Sequence, residues 1–162
     1  MAESSTPQIR NNMDKKEAKI AALRASLVGT WRLTGWKKAS SNSNGESDVF
    51  GSNPTGYLNY DQDGRILVLA LHGDRPSPSQ SPPSEEEKIK LFDSMLAYAG
   101  TYTVQEDRVL HKLDASWNDI WTNTVQTRLI SLKKNRLTYT TPVMINPVDG
   151  KPCIFKVMFV RA

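Results

Sequence analysis

The residues best suited to acid–base chemistry sit where strand alternation turns them inward. Between Arg108 and Ala115, the set Val109, His111 and Leu113 is more apolar than Arg108, Lys112 and Asp114, which puts His111 on the buried face. Between Thr122 and Leu132, Gln126 and Arg128 share parity with Ile130 and Leu132, so an amide and a guanidinium turn the same way. By the same rule Tyr60 goes with Leu58, Tyr102 with Val104, and His72 with Ile66, Val68 and Ala70. An interior with both histidines, two tyrosines, Gln126 and Arg128 against an aliphatic wall that includes Leu58 and Val68 has the make-up of a small-molecule site. In it His111 serves as general acid–base and Tyr60 or Tyr102 as a second proton carrier, while Arg128 and Gln126 hold developing negative charge. Such a set suits proton shuttling, dehydration, isomerisation or ring closure of an apolar substrate, with no cofactor.

Each residue also has a plainer reading. A lone inward histidine is more often a hydrogen-bonded core residue than a catalyst. An inward arginine is harder to dismiss, because a buried guanidinium needs a carboxylate or a ligand oxyanion beside it. No inward acid is evident, although Asp74 or Asp114 at a rim could fill that role. Trp117 and Trp121 flank an expected mouth loop and serve equally as rim packing or as an aromatic clamp; Arg75 belongs to the same rim. Other chemistries lack their residues. Two histidines and one cysteine, without HExxH spacing, make a poor zinc site, so no metal is expected. Cys153 beside Ile154 and Phe155 reads as core, and neither GxSxG nor a phosphate loop occurs.

The elements that must position these groups are set by the periodicity. Residues 1–13 are polar and read as a disordered tail. A helix is expected over 14–27: Asp14 and Glu17 match a capping box, Ile20, Leu23 and Leu27 form its stripe, and it could seal one end of the strand assembly. From Val28 the period becomes two. A first strand runs through Trp31 and Leu33, and Gly56–Tyr60 and Arg65–His72 form a hairpin across Asp61–Gly64. The segment Gly73 to Ser84, with Pro76, Pro78, Pro82 and Pro83, cannot be regular. Ser84 and Glu87 then open a helix expected over 84–98, with Ile89, Phe92, Met95 and Leu96 as its apolar stripe and Gly100 as its end. Strands resume at Thr101–Val104, Arg108–Ala115, Thr122–Leu132, Asn135–Thr140 and Cys153–Val160. About eight short antiparallel strands with no βαβ alternation mean a sandwich or an up-and-down barrel.

Several short blocks carry a resemblance. Gly29-Thr30-Trp31 resembles the G-x-W opening of calycin barrels. Pro54-Thr55-Gly56-Tyr57-Leu58-Asn59-Tyr60, Asp63-Gly64-Arg65, Asp74-Arg75-Pro76, Tyr98-Ala99-Gly100-Thr101-Tyr102 and Gln126-Thr127-Arg128 together look like the bacterial and fungal lipocalin-like domain family. The resemblance implies a mainly β fold: an eight-stranded antiparallel up-and-down lipocalin-like barrel over 28–162, with the N-terminal helix outside it and one inserted helix as a lid over a barrel mouth. It also implies that Trp31 closes the barrel floor with Arg161 packed over its ring.

Composition bounds the remaining possibilities. The net charge is +4, but its lysines and arginines are scattered among acids and lack the basic stripe with stacking aromatics of a nucleic-acid module. No apolar run approaches the ~20 residues of a membrane helix, and the N-terminus lacks a signal peptide's apolar stretch, so a cytoplasmic location is expected. The expected partner is a hydrophobic small molecule rather than nucleic acid or membrane, with a homodimer possible. Two functions stand. One is a cofactor-independent cyclase or isomerase, including a pericyclase or dehydrating cyclase, for a hydrophobic secondary-metabolite intermediate; calycin-like barrels used as cyclases are its precedent. The other is a non-catalytic carrier.

Overall fold

The structure, a computed structural model, describes residues 6–40, 45–145 and 151–162. Helix α1 (Thr6–Leu27) is followed by β1 (Gly29–Ser40), β2 (Glu46–Asp48), β3 (Thr55–Tyr60) and β4 (Arg65–Leu71). Helix α2 (Glu85–Asp93) comes next, then β5 (Met95–Val104), β6 (Arg108–Ser116) and a single 3-10 turn (Asp119–Trp121). The chain ends with β7 (Val125–Lys133), β8 (Arg136–Thr140), β9 (Met144–Ile145) and β10 (Pro152–Arg161). Strands β1, β3, β4, β5, β6, β7, β8 and β10 pair antiparallel in that order, and β10 returns to β1, closing an eight-stranded barrel. The short β2 and β9 lie alongside β1 and β10. Closure leaves no long edge with unpaired backbone groups.

Alternation decides the inside. In β3 and β4, Leu58, Tyr60, Ile66, Val68 and Ala70 are buried, while Tyr57, Arg65 and Leu67 face out. The buried set forms one core that continues through Tyr98, Tyr102, Val109, Leu113, Leu137, Tyr139 and Phe159. Cys153 is buried, as expected of a core residue.

One end of the barrel is plugged. Trp31 is fully buried, its indole N–H donates to the Leu27 carbonyl at 2.8 Å, and the Arg161 guanidinium lies 3.9 Å above its ring. Arg161 also donates to the carbonyls of Val28 (2.7 Å) and Ser26 (2.6 Å), tying the last strand to the end of α1. Gly29 has φ +122°, and a Cβ there would lie 2.7 Å from the Arg161 guanidinium, so the plug requires glycine. Leu27, Ile20 and Leu23 pack α1 against this end, which is the sealing role its apolar stripe indicates.

Both helices differ from their expected limits. Helix α1 begins at Thr6, so Asp14 and Glu17 are exposed mid-helix residues and not a cap; residues 1–5 of the expected tail lie outside the described residues. Once Ile20, Leu23 and Leu27 anchor the C-terminal turns, extending a helix backwards adds one hydrogen bond per residue without a new nucleus. Helix α2 has the expected capping box, Ser84 with Glu87, yet stops at Asp93. Met95 and Leu96 begin β5, because Leu96, Tyr98, Gly100 and Tyr102 alternate inward along a strand paired with β4 over seven positions. Among the described residues no helix is long and apolar enough to cross a membrane.

Candidate functional site

The half of the barrel away from Trp31 holds an open-mouthed cavity of about 430 Å³. Its walls are largely apolar: Val68, Leu96, Phe155, Val157 and Phe159, with Trp36 from β1 and Trp121 from the 3-10 turn. Ser47 and Asp48 of β2 and Met144 of β9 lie at its rim. No residue of α2 lines it. Phe92 of α2 packs 6.1 Å from the Trp117 ring, and Trp117 in turn lies 5.2 Å from Trp121 of the cavity lining.

Two polar side chains on the cavity wall, Tyr98 and Tyr139, lead to two that lie behind it. The Tyr98 hydroxyl is 3.0 Å from His111 Nδ1, and His111 Nε2 is 2.8 Å from the Tyr60 hydroxyl. Tyr60 in turn makes a short hydroxyl–hydroxyl hydrogen bond with Tyr139. The register explains the convergence. His111 lies opposite Tyr102 of β5 and Gln126 of β7, and Arg128 lies opposite Val109, so all five share the inner face. Tyr139 enters from β8, opposite Val157.

Burial sets the protonation states. His111 is fully buried, and desolvation, helped by the positive charge of Arg128, holds its pKa well below the ordinary histidine value. It is therefore a neutral imidazole at pH 7, with one N–H to donate and one nitrogen to accept. Desolvation likewise pushes the Tyr60 and Tyr139 phenols well above their ordinary value, and Tyr98 upward too. Arg128 works against each of these tyrosine shifts by favouring phenolate. The half-buried Arg128 lines the cavity, its Nη1 donating to the Thr127 carbonyl at 3.1 Å. No carboxylate pairs with it among the described residues: Asp114 faces outward and binds Arg65 bidentately, and Asp74 is exposed. Among the described residues no three His, Cys, Asp or Glu side chains cluster as a metal site would require.

The residues singled out from sequence divide into two groups. His111 and Tyr60 come together behind the cavity wall, and Arg128, Gln126, Val68 and Trp121 line the cavity itself. Gln126 Nε2 donates to Thr124 Oγ1 at 3.0 Å. Tyr102 packs edge-on against the Tyr60 ring at 4.6 Å, but its hydroxyl points elsewhere. It faces inward near the plugged end, donates to the Asp61 carbonyl at 2.8 Å, and lies under Arg24 of α1. Leu58 is buried in the plugged half, opposite Trp31. His72 falls just beyond β4, where its Nδ1 accepts from the Asp74 amide at 3.0 Å and its ring packs on Phe50. Phe50 stacks 4.5 Å from Trp36, so His72 backs the wall without reaching the cavity. Arg75 donates to the Ser94 carbonyl at 3.3 Å, and Trp117 supports Trp121 edge-on at 5.2 Å.

Tyr98 and Tyr139 are the functional candidates that pattern reading missed. Tyr98 was hidden by its placement in a helix; read as strand, it shares parity with Tyr102. Tyr139 shares parity with Leu137 in a segment already recognised as a strand, so its inward direction was available.

A closed eight-stranded barrel, plugged by a G-x-W tryptophan at one end and holding a mostly apolar cavity at the other, is the architecture of a small calycin-type ligand barrel. The model of the lipocalin-like domain family matches residues 28–160, and the chain belongs to that family. The chain matches no curated protein.

Proposed function

We propose that this barrel is a cofactor-independent cyclase or isomerase acting on a hydrophobic secondary-metabolite intermediate, working in the cytoplasm. The observation that carries this reading is the buried Tyr98–His111–Tyr60–Tyr139 cluster at the inner end of the cavity. A carrier needs only the apolar wall. Four proton donors and acceptors hydrogen-bonded in a chain, with an arginine beside them that pairs with no carboxylate among the described residues, are what catalysis by proton transfer uses.

Family membership supports binding of a small hydrophobic ligand. The apolar walls orient such a molecule and exclude water, while the tyrosines and Arg128 meet its oxygen atoms. Arg128 stabilises charge developing on a carbonyl oxygen, and water exclusion strengthens that interaction. The dehydrating and pericyclic variants both fit: the first uses the proton carriers directly, and the second uses Arg128 and the hydroxyls to polarise the substrate.

The test is an untargeted one. Small-molecule extract from the source cells is incubated with the wild-type protein, Arg128→Gln or Tyr98→Phe, and compared by mass spectrometry. The reading expects one compound to be replaced by an isomer or a dehydrated product with the wild type and not with either variant. A compound that co-purifies with the wild type in native mass spectrometry and is released unchanged would instead establish the carrier, the reading the apolar walls favour.

A further inference from the structure

The cluster has a geometry that general acid–base catalysis by one residue does not require. Only Tyr98 and Tyr139 touch the cavity; His111 and Tyr60 lie behind them and connect them. The hydrogen bonds therefore form a loop that leaves the cavity at one tyrosine and returns to it at another. Every member is a group that can donate and accept at once, and the imidazole does so through its two different nitrogens.

We propose that Tyr139, Tyr60, His111 and Tyr98 are a proton relay with both ends on the cavity, taking a proton from one oxygen of a bound ligand at Tyr139 and delivering one to a second oxygen at Tyr98. This deepens the proposed proton-transfer function and rests on it. The ligand class is a neutral, largely apolar molecule carrying both a hydroxyl and a carbonyl, small enough for about 430 Å³.

The step balances without a co-reactant. The ligand hydroxyl oxygen forms a C–O bond to the carbonyl carbon while its proton passes to the Tyr139 oxygen. Tyr139 gives its own proton to Tyr60, Tyr60 gives its own to His111 Nε2, and the Nδ1 proton moves to Tyr98. Tyr98 gives its proton to the carbonyl oxygen as the C=O π pair becomes a lone pair there. Nothing is oxidised or reduced, and the protein keeps its proton count; His111 has changed tautomer. Arg128 lines the same cavity as Tyr98 and Tyr139, and its charge stabilises a phenolate formed at either end of the relay. Tyr98, Tyr139 and Arg128 are the catalytic residues in this scheme, whereas Tyr60 and His111 act through them.

The probe for the test is 7-hydroxyquinoline, a flat molecule with a hydroxyl and a ring nitrogen too far apart for direct exchange. Excited, it converts to its green-emitting keto tautomer only when a hydrogen-bonded chain joins the two. With protein in excess, uptake is read by quenching of tryptophan fluorescence, since Trp36 and Trp121 line the cavity. The relay expects tautomer emission from the probe on the wild-type protein, and its loss in Tyr60→Phe, which removes an internal link that does not touch the probe. Tyr139→Phe, which cuts the relay at its end, is the second variant and should behave alike. Quenching without tautomer emission on the wild type overturns the relay and leaves the ligand cavity standing. Tautomer emission that persists in both variants also overturns it, because the chain would then run through water. Absence of quenching overturns the assigned ligand class together with the reading beneath it.

Discussion

His111 Nε2 lies 2.8 Å from the Tyr60 hydroxyl, although 51 residues separate them in the chain. Neither residue reaches the cavity, yet the two join the tyrosines that do. A buried imidazole hydrogen-bonded on both nitrogens, with Tyr60, Tyr98, Tyr102, Tyr139 and Arg128 around it and no acid among them, has every reason to stay neutral.

That neutrality makes stability depend on pH. The folded-state pKa of His111 is depressed, so the unfolded chain binds more protons as pH falls through its ordinary value near 6.5. Its contribution is complete above pH ~6.5 and is lost on acidification, with a slope of up to about 1.4 kcal/mol per pH unit. Urea unfolding at pH 8, 6 and 5 should show the decline, and His111→Gln should flatten it. At the alkaline end the raised tyrosines act oppositely, and stability should fall as pH rises above ~10.

Removing one hydroxyl from the cluster should cost more than a surface hydrogen bond. Tyr60→Phe leaves His111 Nε2 and the Tyr139 hydroxyl short of a buried partner, a loss of about 1–3 kcal/mol. Tyr60→Phe and Tyr139→Phe should couple by ~0.5–3 kcal/mol in a double-mutant cycle, since they share one bond. Additive losses would show that the two hydroxyls are independent.

At the other end of the barrel, Arg161→Ala should destabilise by about 2–3 kcal/mol through lost stacking on Trp31 and two lost charge-assisted hydrogen bonds. Arg161→Lys should recover little, because an ammonium cannot stack on the indole and reach both carbonyls together. Uptake of 7-hydroxyquinoline at temperatures where these variants are folded should be unchanged, since Arg161 is remote from the cavity lining.

The two halves of α1 should respond differently. Residues 8–19 are exposed, so deleting residues 1–18 should leave the thermal midpoint nearly unaltered. Leu27→Ala, at a fully buried position against the plug, should cost ~2–5 kcal/mol.

The strands, their inward faces and the plug were legible because each depends on short-range alternation and on a few specific residues. Val109–His111–Leu113 and Gln126–Arg128 could be oriented by parity alone, since the strand period of two leaves only one choice of face. Depth along the barrel was not legible in the same way. Tyr60 and Tyr102 both face inward, yet one joins His111 and the other caps a loop carbonyl beside α1. Parity says which face a side chain takes, and only the stagger of strands around the closed barrel says at what height.

Helix limits failed for a related reason. The apolar spacing Ile89, Phe92, Met95, Leu96 satisfies a helix, but Leu96, Tyr98, Gly100 and Tyr102 satisfy a strand equally, and pairing with β4 and β6 decided between them. The amino-acid pattern by itself determined short antiparallel strands of a sandwich or an up-and-down barrel, with a polar set on the same face as an apolar wall. The choice of the barrel rested on the family resemblance. Tertiary structure alone decided which polar groups meet, bringing Tyr98 and Tyr139 to the cavity and leaving Tyr102 at the floor. Hydrogen bonds between groups 51 and 79 residues apart depend on barrel closure, which no local preference encodes.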